Sequence, residues 1–390
     1  MNRSFLKVKG PRIVDVKNQR VTLQGVNFGG WLMMEGYFMH TANTAEQFMK
    51  KEFAGALGKR ALADLEESFR RNFIQESDVR QVKAWGFNCV RLPFNYRLLH
   101  GQGIRYLDEA VGWANTHGVY LILDLHAAPG AQNTDWHSDS PGKAELWTKK
   151  SNRHRTYEIW ERLADRYKNE PMVAGYDLLN EPVLENTDLL NEYFRETIKA
   201  VRRSDKNHIL FIEGNRWAQD IGILDNFRED NLVYSVHFYE PLEFTFNFVP
   251  HLAYPLKSGR GLWDKDTMRR RMEAYDNFAR ARNRPVHVGE FGVNDRGGKY
   301  NEHLYVKNLV GVFREFGFHW NYWTYKAVKH YTFPDGIYSY YPNPPWVNRG
   351  GVVTGWNRWK DLWGKHRDGM INSWKTAEFT LNEKIFKSLT

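Results

Sequence analysis

Cysteine is almost absent from this chain of 390 residues: Cys89 is the only one. No internal disulfide can form, so folding does not depend on an oxidising compartment. Because Cys89 lies in a β-like run at 87–91, a buried, inert thiol is expected. Long apolar runs are missing as well. No stretch holds eighteen uncharged apolar residues, which argues against a membrane-spanning helix and a membrane partner. Residues 1–9 lack the apolar core of an export signal, so no signal peptide is expected and the compartment stays open. Positive charge is in excess, with a net +9, but it is not clustered. The densest runs, Arg269-Arg270-Arg271 and 280–284, share a helical stretch with Glu273 and Asp276, which reads as a solvated outer helix face. That distribution argues against nucleic acid as a partner.

What is present is enough for one large core, with 42% hydrophobic and 15% aromatic residues and no low-complexity tract. Short apolar, β-branched runs alternate with longer amphipathic segments, the order of a parallel sheet covered by helices. Strands are expected at 23–27, 89–93, 120–125, 174–179, 209–213, 232–237, 286–290 and 320–323. Helices are expected at 78–85, 107–116, 156–167, 189–203, 267–282 and 302–315. The interval between the fifth and sixth strands is too short for a long helix. Eight such strands predict an α/β fold of the TIM (β/α)8 type, as a single domain over 1–390. A hairpin at about 5–21 is expected to plug the barrel bottom, and a terminal helix at about 371–389 to dock on the exterior.

Two glutamates stand out. Glu181, in Leu178-Leu179-Asn180-Glu181-Pro182, and Glu290, in Val286-His287-Val288-Gly289-Glu290-Phe291, each end a buried run. A carboxylate there is costly unless something pairs with it or uses it. The C-terminal strand ends of such a barrel are where chemistry sits, so paired catalytic carboxylates are expected. Arg91, His126, Asn180, His237, Tyr239 and Trp323 fall at the same rim. Enlarged loops follow strands one, six and eight (31–74, 238–266 and 326–359). They carry Phe38, Phe244, Phe246, Phe248, Trp263, Tyr338, Tyr340, Tyr341 and Trp346, aromatics suited to stacking on sugar rings or to packing the loops onto the barrel.

With these residues in place the chain resembles glycoside hydrolase family 5, the cellulase-like retaining β-glycosidases. Arg91, His126, Asn180, Glu181, His237, Tyr239, Glu290 and Trp323 match that family's active-site set in order. The resemblance implies Glu181 as general acid/base and Glu290 as nucleophile, with no metal or organic cofactor. It also implies that Arg91 keeps Glu290 charged, that Tyr239 donates to it, and that Asn180 holds the sugar 2-hydroxyl. Trp323 would floor the reacting sugar's site, with His126 and His237 organising hydrogen bonds around it. Burial and the nearby charge of Glu290 are expected to raise the pKa of Glu181.

The segments 29–35 and 125–133 are similar to the exo-β-1,3-glucanase branch, which implies that Glu35 binds hydroxyls of a terminal glucose. The expected substrate is a β-linked oligo- or polysaccharide or a β-glucoside, β-1,3 ahead of β-1,4 linkages and β-mannan third. Residues 134–140 depart from that branch. Two readings of other classes compete with this one. A barrel metallohydrolase would use Asp124, His126, His237, His287 and Asp295, but His287 differs from Glu290 in strand parity and is expected on the opposite face. A catalytically silent carbohydrate-binding barrel would need neither glutamate. The sequence does not set the oligomeric state.

Overall fold

The computed structural model describes residues 4–39, 43–258, 261–347 and 359–390. Eight parallel strands close into a barrel in chain order: Gln24–Asn27, Cys89–Asn95, Tyr120–Ala127, Val173–Asp177, Ile209–Glu213, Leu232–His237, Val286–Phe291 and His319–Tyr322. Nearly every residue in them is buried, because helices cover the outer face and side chains fill the inside. Gly25 is required where the first two strands meet, since a Cβ there would lie 1.7 Å from the Cys89 carbonyl oxygen.

The lower barrel interior is apolar: Leu23, Cys89, Ile122, Ala174, Ile209, Phe211 and Val233 form one cluster. Leu6 and Ile13 complete it from below. They are carried by a hairpin of Lys7–Lys9 and Arg12–Val14. Burial pushes the Cys89 thiol up to about 12, so it is inert at neutral pH.

The helices expected between strands are found as Glu76–Ala84, Arg105–His117, Lys150–Tyr167, Thr187–Ser204, Lys265–Ala281 and Glu302–Phe316. After the fifth strand there is only a single turn, Asn215–Ala218. Two helices inside the first enlarged loop, Glu46–Leu57 and Lys59–Phe73, were not anticipated. The second buries Leu65, Phe69 and Phe73 on one face, packing Phe69 edge-on to Trp374 at 5.1 Å. Residues 348–358 of the insertion after the eighth strand lie outside the described residues.

The expected terminal helix at 371–389 is corrected. The helix Trp359–Ser373 ends there, Trp374 turns inward and is fully buried, and Thr380–Leu381 pairs as a strand with Tyr338–Tyr340. A last helix, Glu383–Leu389, restarts at Asn382, whose side chain accepts from the Ile385 amide. Among the described residues no helix is long and apolar enough to cross a membrane.

Candidate active site

The polar rim is built around one guanidinium. Arg91, in the second strand and fully buried, places Nη1 2.8 Å from Glu290 Oε1 and Nε 2.9 Å from Asp177 Oδ2. Its Nη2 lies 2.8 Å from Asn180 Oδ1, 3.1 Å from Glu213 Oε1 and 3.2 Å from Asp124 Oδ2. Burial opposes the guanidinium charge, but Asp124, Asp177, Glu290 and Glu213 outweigh it and secure that charge.

Glu290, next to last in the seventh strand, has both oxygens engaged, Oε1 by Arg91 and Oε2 by the Tyr239 hydroxyl, which donates at 2.9 Å. Glu181 stands just beyond the fourth strand. That strand leaves the ladder at Asp177, earlier than the expected 179, and Glu181 takes a left-handed backbone, φ 48°. Its amide donates to Glu213 Oε2 at 2.6 Å and its carbonyl accepts from Asn133 at 2.9 Å, which holds the strained turn. Its carboxylate faces two imidazoles, His237 Nδ1 2.7 Å from Oε1 and His137 Nε2 2.9 Å from Oε2. Atoms of Glu181, His237 and Glu290 all lie within 4.8 Å of one another.

The charge state of Glu181 departs from the sequence expectation. Burial does push its carboxyl up, but the hydrogen bonds and charges of His137 and His237 prevail and hold it well below the ordinary range. The His237 ring is correspondingly raised, as Glu213, Glu290 and Glu181 overcome its burial. The expectation failed because it set only Glu290 and burial against Glu181, without His137.

His126 Nδ1 lies 2.8 Å from Asp124, and its ring stacks on Trp323 at 5.6 Å and 6°. The Trp323 indole donates to Tyr37 Oη at 2.7 Å. Glu35 is 2% exposed and its Oε1 has no hydrogen-bond partner among the described residues. Burial, then the charges of Glu290 and Glu181, push its carboxyl well above the ordinary range. All nine residues singled out in the sequence thus converge on one rim. A cleft of about 350 Å³ opens above them.

The cleft also exposes what the sequence did not flag: Tyr37, Asp135, Trp136, His137, Trp217 and Phe333. Of the loop aromatics put forward, Phe246 and Phe248 line it. Phe38 and Phe244 instead pack loops, against Phe73 and Tyr305. Trp263 stacks on Phe238, Tyr338 and Tyr340 pair with neighbouring strands, and Trp346 packs on His366. Glu213 was missed although it carries the same signal as Glu181, an acid ending a buried strand.

The five residues of the metallohydrolase reading are not brought together. Both ring nitrogens of His287 are occupied, by Ser235 Oγ at 3.2 Å and Asn321 Oδ1 at 2.8 Å, and Asp295 bonds Asn382. His287 does not face outward as parity predicted. The strand pairing slips between Val288 and Glu290, so a bulge at Gly289 lets both side chains turn inward. Among the described residues the ligand-type groups that cluster are Glu181, His237 and Glu290. A cation there would have to displace Arg91 or Tyr239 from Glu290.

Comparison with known proteins agrees with the geometry. The family model described as cellulase (glycosyl hydrolase family 5) matches residues 19–329. A β-xylosidase of Phanerodontia chrysosporium is 31% identical over 83% of this chain and 71% of its own length. Endoglucanase C of Acetivibrio thermocellus is 24% identical over 78% of this chain and 91% of its own. Among solved structures, Thermotoga maritima Cel5A, in complex with mannotriose, superposes with a TM-score of 0.64 at 17% identity, covering 95% of this chain and 98% of that one. Its fold is the same barrel. The chain belongs to glycosyl hydrolase family 5 and is a retaining β-glycoside hydrolase.

Proposed function

We propose that this enzyme removes terminal glucose from β-glucans or β-glucosides, β-1,3 linkages foremost, with Glu290 as nucleophile and Glu181 as acid/base. The observation that carries the two roles is the asymmetry of the pair. Glu290 is fixed by a cation and a phenol, the setting of a carboxylate that must stay ionised to attack, whereas Glu181 faces proton-carrying imidazoles. An oxygen of each carboxylate lies within 4.8 Å of the other, which supports the short spacing of the retaining geometry, roughly 5 to 5.5 Å.

In the first step Glu290 attacks the anomeric carbon from one face while Glu181 protonates the departing oxygen. In the second, Glu181 deprotonates a water that releases the sugar from the ester. Arg91 and Asn180 act together: Nη2 holds the Asn180 amide oxygen, and the amide nitrogen, buried and without a partner among the described residues, is the donor assigned to the sugar 2-hydroxyl.

Terminal action is supported by the wall beside Glu35. Tyr37, Trp323, Phe333 and Pro334 line the cleft together with Glu35, with Phe333 stacked on Tyr37 at 5.4 Å. Glu35, without a partner for one oxygen, is placed to bind hydroxyls of a sugar lying on Trp323.

The test is a product profile on laminarin, carboxymethylcellulose, mannan, aryl β-glucosides and aryl β-xylosides. Glucose alone from laminarin supports the reading. Mixed oligosaccharides would make the enzyme an endo-hydrolase. Preference for the xyloside would follow the relative named for that sugar and overturn the glucose assignment.

A further inference from the structure

His137 is the histidine of the cleft that the eight-residue set does not contain. It sits in a single 3-10 turn, Trp136–Ser138, of the loop after the third strand. That loop is fastened at its base. The Gln132 amide donates to the carbonyls of His126 and Asn180, Asn133 donates to the Glu181 carbonyl, and the Ser138 hydroxyl donates to the Asp135 carbonyl. These bonds hold His137 Nε2 2.9 Å from Glu181 Oε2.

The two oxygens of Glu181 are not equivalent. Oε1 points to His237, a residue 1% exposed that does not line the cleft and whose far nitrogen meets Glu213 at 3.0 Å. Both Glu181 and His137 do line it. Oε2 is therefore the oxygen whose partner, His137, also lines the cleft.

We propose that His137 is a positioning residue that holds the leaving-group proton for Glu181 at Oε2 and takes it back at the end of each cycle. This rests on Glu181 being the acid/base. The proton on His137 Nε2 passes to Oε2, and the carboxyl gives it to the glycosidic oxygen as the C–O bond breaks. The electron pair of that bond leaves with the alcohol while Glu290 forms its ester to the anomeric carbon. Water then attacks that carbon and Glu290 leaves as carboxylate. The water proton goes to Oε2 and on to His137, so protons and bonds balance without a co-reactant.

The groups facing His137 suit this part. Glu181, Asp135 and Glu290 favour the imidazolium, burial opposes it, and the balance lies above the ordinary histidine value. The Trp136 and His126 rings stand edge-on at 5.7 and 6.3 Å and fix the imidazole plane. Asp135 itself is steadied by the Trp217 indole, which donates to it at 2.7 Å.

The experiment compares wild type with His137→Gln, following kcat/KM against pH for aryl β-glycosides with leaving groups from dinitrophenol to phenol. A glutamine donates to Oε2 but carries no proton to give. The expected result is a basic limb shifted about one unit or more toward acid. The loss should be at least about ten-fold for phenol leaving groups and within about three-fold for dinitrophenol, which needs no protonation. A basic limb left in place, or equal losses for both leaving groups, overturns the proposal. His137→Asn gives the same reading should the glutamine variant not fold. Glu181→Ala separates the two failures. If that variant shows neither leaving-group dependence nor rescue by azide, the acid/base assignment is wrong whatever His137 does.

Discussion

Arg91 and Glu290 are separated by 199 positions in the chain and by 2.8 Å in the fold, with both side chains withdrawn from water. The same guanidinium also touches Asp124, Asp177 and Glu213. Removing it leaves four buried carboxyls without their cation, a loss of about 3–5 kcal/mol for a buried pair broken on one side. Arg91→Lys retains a charge but cannot reach all of these partners. We expect a Tm drop of several degrees together with a kcat/KM loss of about a hundred-fold or more. Thermal melts and kinetics on an aryl β-glucoside check both.

Tyr239→Phe removes one hydrogen bond to Glu290 and leaves the ring packed on Phe246. A single charge-assisted bond is worth about 1.5–3 kcal/mol, so kcat should fall about ten- to hundred-fold with Tm nearly unchanged. A comparable fall in Tm would show that the hydroxyl serves the fold instead.

Glu35 ties stability to pH. Its folded-state carboxyl titrates well above the unfolded value, pushed by burial and then by Glu290 and Glu181. Between those two values the native state holds the extra proton, so the stability that Glu35 contributes is complete below the ordinary carboxylate range and is lost as pH rises through the folded value. Glu35→Gln should therefore flatten the fall in Tm from acid toward neutral pH, while raising KM for a terminal glucoside. An unchanged slope would count against this origin.

How far the sequence reached can be judged residue by residue. The positions of His126, His237 and Glu290 at or next to strand ends were readable because buried strands are short, apolar and punctuated, and polar groups at their ends are conspicuous, whereas Arg91, read as a strand end, lies within the strand Cys89–Asn95. Glu213 offered the same signal and was passed over. His137 offered none, since its place depends on how Gln132 and Asn133 fasten the loop across 48 positions to Asn180 and Glu181. The Gly289 bulge is a property of strand pairing that counting parity along one strand cannot reveal. The terminal segment looked helical on composition, but the burial of Trp374 against Phe69 and Trp363 breaks it.

Metal removal should be without effect. Both oxygens of Glu290 are already engaged by protein groups, and the reaction as written needs no cation. Activity after exhaustive EDTA treatment should equal that of untreated enzyme, and a loss restored by a divalent ion would contradict the account.

The most direct test of the two-carboxylate mechanism is covalent trapping with 2,4-dinitrophenyl 2-deoxy-2-fluoro-β-glucoside, followed by peptide mapping by mass spectrometry. The account predicts a single glycosyl ester on Glu290. A label on Glu181 or another residue, or an enzyme that hydrolyses the parent glucoside yet never accumulates an ester, would contradict it.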